Sequence, residues 1–101
     1  MITITAIVQS SAADIEAMRD AIIAMQTASR AEEGCHDYTF LQEVGDPDVL
    51  RINERWESMD ALKAHFATPH MAEFNKAMGA HPPKSMELSV NELGKELELP
   101  R

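Results

Sequence analysis

Apolar residues alternate from the start of the chain. Ile2, Ile4, Ala6 and Val8 fall on one side of an extended segment and Thr3, Thr5 and Ile7 on the other, the period-two pattern of a strand. The period then lengthens. Ser11 followed by Asp14 is a helix start, and Ile15, Met18, Ile22 and Met25 step by three and four, which predicts one helix from about Ala12 to Glu32. Gly34 stands just past that end, where glycine takes a left-handed conformation cheaply. β-Favouring Tyr38, Thr39, Phe40 and Leu41 mark a strand within His36 to Val44. The turn residues Gly45-Asp46-Pro47-Asp48 follow, and Val49 to Glu57 alternates again, so the segment reads as a hairpin with a four-residue loop.

Ser58 caps a second helical region carrying Met59, Leu62 and Phe66, and Thr68-Pro69 is a fresh start signal, a cap followed by proline at the first helical position. The spacing predicts a break near Thr68, a stripe resuming with Met71, Phe74, Ala77 and Met78, and an end near Gly79. Met86 to Val90 alternates as a last strand, and Leu93, Leu97 and Leu99 sit in a charged tail. The order β-α-β-β-α-β predicts an α+β, ferredoxin-like sandwich, with helices over one face of an antiparallel four-stranded sheet. The other face carries residues such as Ile7, so the pattern predicts a homodimer that packs two sheets into a shared barrel, with Leu97 and Leu99 reaching across.

At 101 residues there is room for one domain and one modest core. Seventeen acids against nine Lys and Arg give a net charge of −8, which argues against nucleic acid or an anionic membrane surface as partner, Arg51 and Arg55 being the one local exception. No apolar run approaches a membrane span and the first residues lack a basic leader, so the chain reads as a mature cytoplasmic protein. The lone Cys35 excludes an internal disulfide and reads as a small buried residue at an element junction.

Two residues break the apolar pattern. Glu54 shares a strand face with Leu50, Ile52 and Trp56, where desolvation raises a carboxyl toward a pKa useful for proton transfer; the alternative is an edge position or an ion pair with Arg51 or Arg55. His65 lies on the edge of the helix stripe, as a proton acceptor for a phenol or enol or as a hydrogen-bonded core histidine. Trp56 offers a flat apolar wall or plain core, Tyr38 a phenol whose side of the sheet depends on register, and Met71 a pocket lining beside Phe74 on the same stripe. Asn53 and Arg55 point to the opposite face from Glu54. His65 and His70 are five apart across the expected break, and no two-histidine-one-carboxylate spacing appears, so no metal site is expected. Phosphate-loop and dinucleotide fingerprints are also lacking, so the chain is expected to work without a bound redox cofactor.

Three stretches carry a resemblance: Glu32-Glu33-Gly34-Cys35-His36-Asp37-Tyr38, Asn53-Glu54-Arg55-Trp56-Glu57-Ser58, and Leu62 through His65 and Thr68-Pro69-His70 to Met71. Together they resemble the antibiotic-biosynthesis monooxygenase (ABM) family, most of all its small bacterial quinol monooxygenases, over essentially the whole chain. The resemblance implies a dimeric α+β barrel; the chain reads as a single domain over 1–101, with a core to residue 92 and a tail at 93–101 placed to contact the partner. The resemblance also implies a pocket between sheet and helices and oxidation of a quinol or polycyclic phenol by dioxygen without flavin, haem or metal. On matching positions, Glu54 and His65 become the expected catalytic residues and Trp56 and Tyr38 expected substrate contacts, to which the helix stripe adds Met71 and Phe74. Departures narrow this. Thr3, Thr5 and Ile7 hold no first-strand asparagine of the haem-degrading branch, and Asn53 lies on the wrong face for the polyketide-type enzymes. The alternatives are a cofactor-free isomerase of a phosphorylated signalling sugar and a non-catalytic dimeric module that binds a small ligand.

Overall fold

The computed structural model describes residues 1–100; Arg101, the last residue of the tail, lies outside the described residues. The elements are β1 (Ile2–Gln9), α1 (Ala12–Ala17), α2 (Arg19–Arg30), β2 (Cys35–Gln42), β3 (Val49–Trp56), α3 (Met59–Phe66), α4 (Pro69–Ala80) and β4 (Ser85–Glu92). The sheet is antiparallel throughout, in the order β2-β3-β1-β4, with the helices on one face: a ferredoxin-like α+β sandwich. No helix among the described residues is long and apolar enough to cross a membrane.

The strands form where the alternation predicts. Ile4, Ala6 and Val8 of β1 and Leu50, Ile52, Glu54 and Trp56 of β3 all face the helices and are buried. Against them pack Ile15, Met18, Met25, Leu62 and Phe74 from the helices. Side-chain caps start three helices: Ser11 accepts from the Asp14 N–H, Ser58 from Ala61 and Thr68 from Met71. Pro69 takes the first position of α4, as the Thr68-Pro69 signal predicted.

Three details differ from the sequence reading. The single helix expected over Ala12 to Glu32 is two, α1 and α2, joined at Met18, whose backbone leaves helical values at φ −91° and ψ 0°. The apolar stripe continues through the joint, since Ile15, Met18 and Met25 are all buried, so periodicity cannot register it. The helix also ends at Arg30, which leaves Glu32 outside it. The hairpin connection is longer than four residues, running over 43–48 and closed by Glu43 N–H to the Val49 carbonyl at 3.0 Å.

Edge strand β2 is tied to α2 through side chains. Gln26 accepts the Phe40 N–H at 2.9 Å, and Arg30 Nε donates to the Tyr38 carbonyl at 2.8 Å, which satisfies outward backbone groups of an edge. On the opposite edge, β4 lies beyond the helix layer. Its Met86, Leu88 and Val90 pair with Val8, Ala6 and Ile4 on the helix side of the sheet, yet each is about half exposed. The far face, with Thr3, Thr5, Thr39, Asn53 and Arg55, is mostly polar, and Ile7 there is only partly exposed. The main uncovered apolar strip is therefore on β4.

Candidate active site

Glu54 sits at the middle of the helix-facing side of the sheet, opposite Ile4 on β1 and Tyr38 on β2. Tyr38 reaches that side because β2 is irregular between Cys35 and Asp37: Cys35 pairs with Trp56 and Asp37 with Arg55, leaving His36 extra. Such a bulge sends every later side chain to the opposite face from an unbroken register.

The Glu54 side chain is 7% exposed and accepts the Trp56 indole N–H at 3.0 Å. Burial pushes its carboxyl above the ordinary carboxylate range, and the Trp56 hydrogen bond and nearby His65 only partly oppose this. Tyr38 is buried beside it, and burial, followed by the Glu54 charge, holds its phenol in the neutral form as a donor.

His65 hangs from α3 one turn after Ala61 and is 1% exposed. Its ring packs among aromatic rings, 4.7 Å from Trp56, 5.4 Å from Tyr38 and 5.6 Å from Phe66 between centroids. The ring nitrogen Nδ1 meets Glu32 Oε2 at 2.6 Å, which leaves Nε2 as the nitrogen available to a ligand. Thr68 fixes the backbone beneath: its hydroxyl donates to the His65 carbonyl at 2.7 Å while capping α4.

These side chains border one narrow cavity of about 70 Å³ between the sheet and the α3–α4 pair. Tyr38, Glu54, His65, Met71 and Phe74 all line it, with Ile4, Ile52 and Met78 as apolar wall, and Phe66, Met86 and Leu88 at its exposed end. Trp56 does not line it. The indole is fully buried behind Glu54 and His65, so its place is that of a donor and packing support rather than a wall for a ring. A wider hollow of about 730 Å³ lies between α2 and α4, but no buried titratable group faces it.

Sequence reasoning passed over Glu32 and left His70 apart from His65. The break at Ala67–Thr68 turns the chain so that His70 Nε2 also meets Glu32 Oε2, at 2.7 Å. The ligand atoms of Glu32, His65 and His70 all lie within 4.8 Å of one another, so the grouping that the linear spacing argued against exists in three dimensions. Glu32 carried one signal: with Glu33 it forms an acidic pair just before Gly34, in the reversal between α2 and β2. Cys35 is partly buried at the start of β2, its thiol pushed up to about 11 mainly by burial. His36 pairs on the surface with Glu57.

Fold and site together define a ferredoxin-like α+β protein with a narrow cavity lined by buried titratable side chains. The chain belongs to the antibiotic biosynthesis monooxygenase family, whose model matches residues 1–77. Among curated relatives, "Probable quinol monooxygenase YgiN" of Escherichia coli is 36% identical over 55 residues, 46% of this chain and 53% of that protein. This chain thus aligns with only about half the length of that relative. Rv0793 of Mycobacterium tuberculosis is 38% identical over 63 residues, 62% of this chain and 61% of that one. Its solved structure superposes with a TM-score of 0.83 over 96% of this chain and 98% of that one, at 25% identity. A structure from Deinococcus radiodurans superposes over 100% of both chains, with a TM-score of 0.89 at 21% identity, a likeness of fold.

Proposed function

We propose that this chain is a cofactor-independent monooxygenase that oxidises a quinol or polycyclic phenol with dioxygen. The observation that carries the reading is the convergence of His65, Glu54 and Tyr38 on one apolar cavity. A phenol is a poor electron donor to dioxygen and a phenolate a good one, so the decisive act is removing the hydroxyl proton inside a dry site. His65 Nε2 takes that proton, and Glu32, bound to Nδ1, stabilises the imidazolium that forms. Glu54 and Tyr38 hold the oxygen substituents of the ring by hydrogen bonds, with the Tyr38 phenol as a donor. Electron transfer from the phenolate gives a radical pair that recombines at a ring carbon. Loss of water then leaves a quinone: one oxygen atom stays on the ring, and the other departs with one ring hydrogen and one hydroxyl hydrogen.

The cavity is narrow, so the ring enters edge-on past Phe66, Met86 and Leu88 with its remainder on the β4 strip. A second copy covers that strip in this reading, with Leu97 and Leu99 of the tail, both largely exposed, supplying apolar contacts in a homodimer. The name of the Escherichia coli relative supports the substrate class. The test is oxygen uptake with chelator-treated protein and a panel of reduced quinols, corrected for autoxidation. Uptake that saturates with quinol and falls by roughly 10²–10⁴ in His65→Ala, the usual contribution of a general base, supports the reading. Uptake unchanged in that variant removes His65 from the chemistry, and no uptake above the blank removes the oxygenase.

A further inference from the structure

We propose that Glu32, His65 and His70 form a binding site for a first-row divalent transition metal, and that occupancy of this site removes the proton-accepting nitrogen of His65 from the cavity. The three ligands come from separate parts of the chain, the reversal after α2, the last turn of α3 and the first turn of α4, yet their ligand atoms lie within 4.8 Å. Two imidazoles and a carboxylate, with water in a fourth position, form the donor set of open zinc sites. Calcium and magnesium require more oxygen ligands than are present. The side chains of His65 and Glu32 are 1% and 13% exposed, and that of His70 is 23% exposed, which gives an ion a route in and a place for water. Glu32 Oε2 now stands 2.6 and 2.7 Å from the two ring nitrogens. Bonds of about 2.0–2.1 Å in a tetrahedral site require those contacts to open by only about 0.7 Å. A net charge of −8 further favours cation binding.

The consequence follows from imidazole chemistry. Neutral imidazole carries one N–H; with Nδ1 donating to Glu32, Nε2 has the free lone pair, whereas a metal on Nδ1 uses that lone pair and moves the N–H to Nε2. The metal-bound and proton-accepting forms of His65 therefore exclude each other. The metal site stands by itself, while its effect on turnover rests on the reading of His65 as the base.

The probe is Zn²⁺, titrated calorimetrically into the chelator-treated full chain. One ion per chain is expected, with affinity weakened at least about tenfold in both His70→Ala and Glu32→Gln, each checked for fold by circular dichroism, and unchanged in His36→Ala. Long-range ¹H–¹⁵N spectra of the histidine rings are expected to place the His65 proton on Nδ1 without zinc and on Nε2 with it. Undetectable binding, binding indifferent to His70→Ala, or a His65 ring unaltered in the zinc-loaded protein would each overturn the proposal. In the oxygen assay, zinc inhibition is expected to track the binding isotherm. Zinc bound at His65 with uptake unaffected overturns the coupling. If no quinol supports uptake at all, the oxygenase reading fails, while the isotherm and ring spectra still decide the metal site.

Discussion

Gly34 turns the chain from α2 into β2 at φ +83°, and a Cβ built on it would stand 2.7 Å from the Ala61 Cβ on α3. Gly34→Ala therefore imposes two separable costs. Left-handed backbone costs an L-residue roughly 1–2 kcal/mol. The carbon–carbon contact lies about 1 Å inside the optimum, and both atoms are fixed to backbone, so α3 must yield at an overpacking cost of about 1–3 kcal/mol. The expected loss is about 2–5 kcal/mol, which lowers the melting temperature of a domain this size by at least about 8 °C. Ala61 lies one turn before His65, so the same displacement draws the ring away from Glu32, and activity falls with stability. Ala61→Gly removes the contact but not the backbone cost, and itself costs about 1 kcal/mol as a helix glycine. Urea and thermal unfolding of wild type, both single variants and the double variant close a cycle whose expected coupling is about 1–3 kcal/mol in favour of the pair. A coupling within about 0.3 kcal/mol of zero refutes the steric argument, and a wild-type melting temperature in Gly34→Ala refutes both parts.

Other perturbations test the site separately. Because burial raises the folded pKa of Glu54 above its unfolded value, the native chain keeps this proton where the unfolded chain has released it; the stability so gained is complete below the unfolded pKa and lost as pH rises through the folded one. Glu54→Gln, which keeps an acceptor for Trp56, is expected to raise the urea midpoint relative to wild type at about pH 8 and to lose that advantage at about pH 3; an equal difference at both contradicts the burial argument. Cys35, with its thiol near 11, is expected to react with a disulfide reagent at neutral pH roughly a hundredfold more slowly than a free thiol, and faster as pH climbs; rapid labelling of the folded protein would show the thiol is not sheltered. Thr68→Ala, which removes the α4 cap and the bond to the His65 carbonyl, is expected to cost about 1–2 kcal/mol in unfolding and to be largely rescued by Thr68→Ser; a Ser variant as unstable as the Ala one assigns the effect to the lost methyl.

The parts of the fold that were legible in the sequence are those set by local periodicity and by caps: the four strands, the helix starts at Ser11, Ser58 and Thr68, and the left-handed Gly34. Glu54 was legible as a carboxyl in an apolar alternation, and His65 as a polar residue on an apolar stripe. Features that depend on a single backbone deviation were not. The side taken by Tyr38 turns on one bulged residue, His36, which alternation does not mark, and the joint at Met18 leaves the stripe intact. Glu32 was hidden because its partners lie 33 and 38 residues away and meet it only after the chain has reversed twice. From its position Trp56 read as either a ligand wall or plain core, and the family resemblance favoured the wall. The closeness of α3 to β3 instead seals it behind His65, 4.7 Å away.

The first strand is central to the sheet and pairs on one side with the last: Thr3 lies opposite Asn91, and the Leu93 N–H bonds the Met1 carbonyl at 2.8 Å. During synthesis, β1 emerges before the other strands, and its outer edge stays open until β4 has been made. Strands β1, β2 and β3 with their helices can assemble earlier, whereas β4 arrives with the longest loop to close and with no helix over it. A nascent chain of this protein thus passes through a stage with an unpaired central strand, during which another molecule's β4 fits the same edge as its own. Conditions that slow the end of translation or truncate the chain before residue 85 are therefore expected to favour aggregation over loss of activity alone.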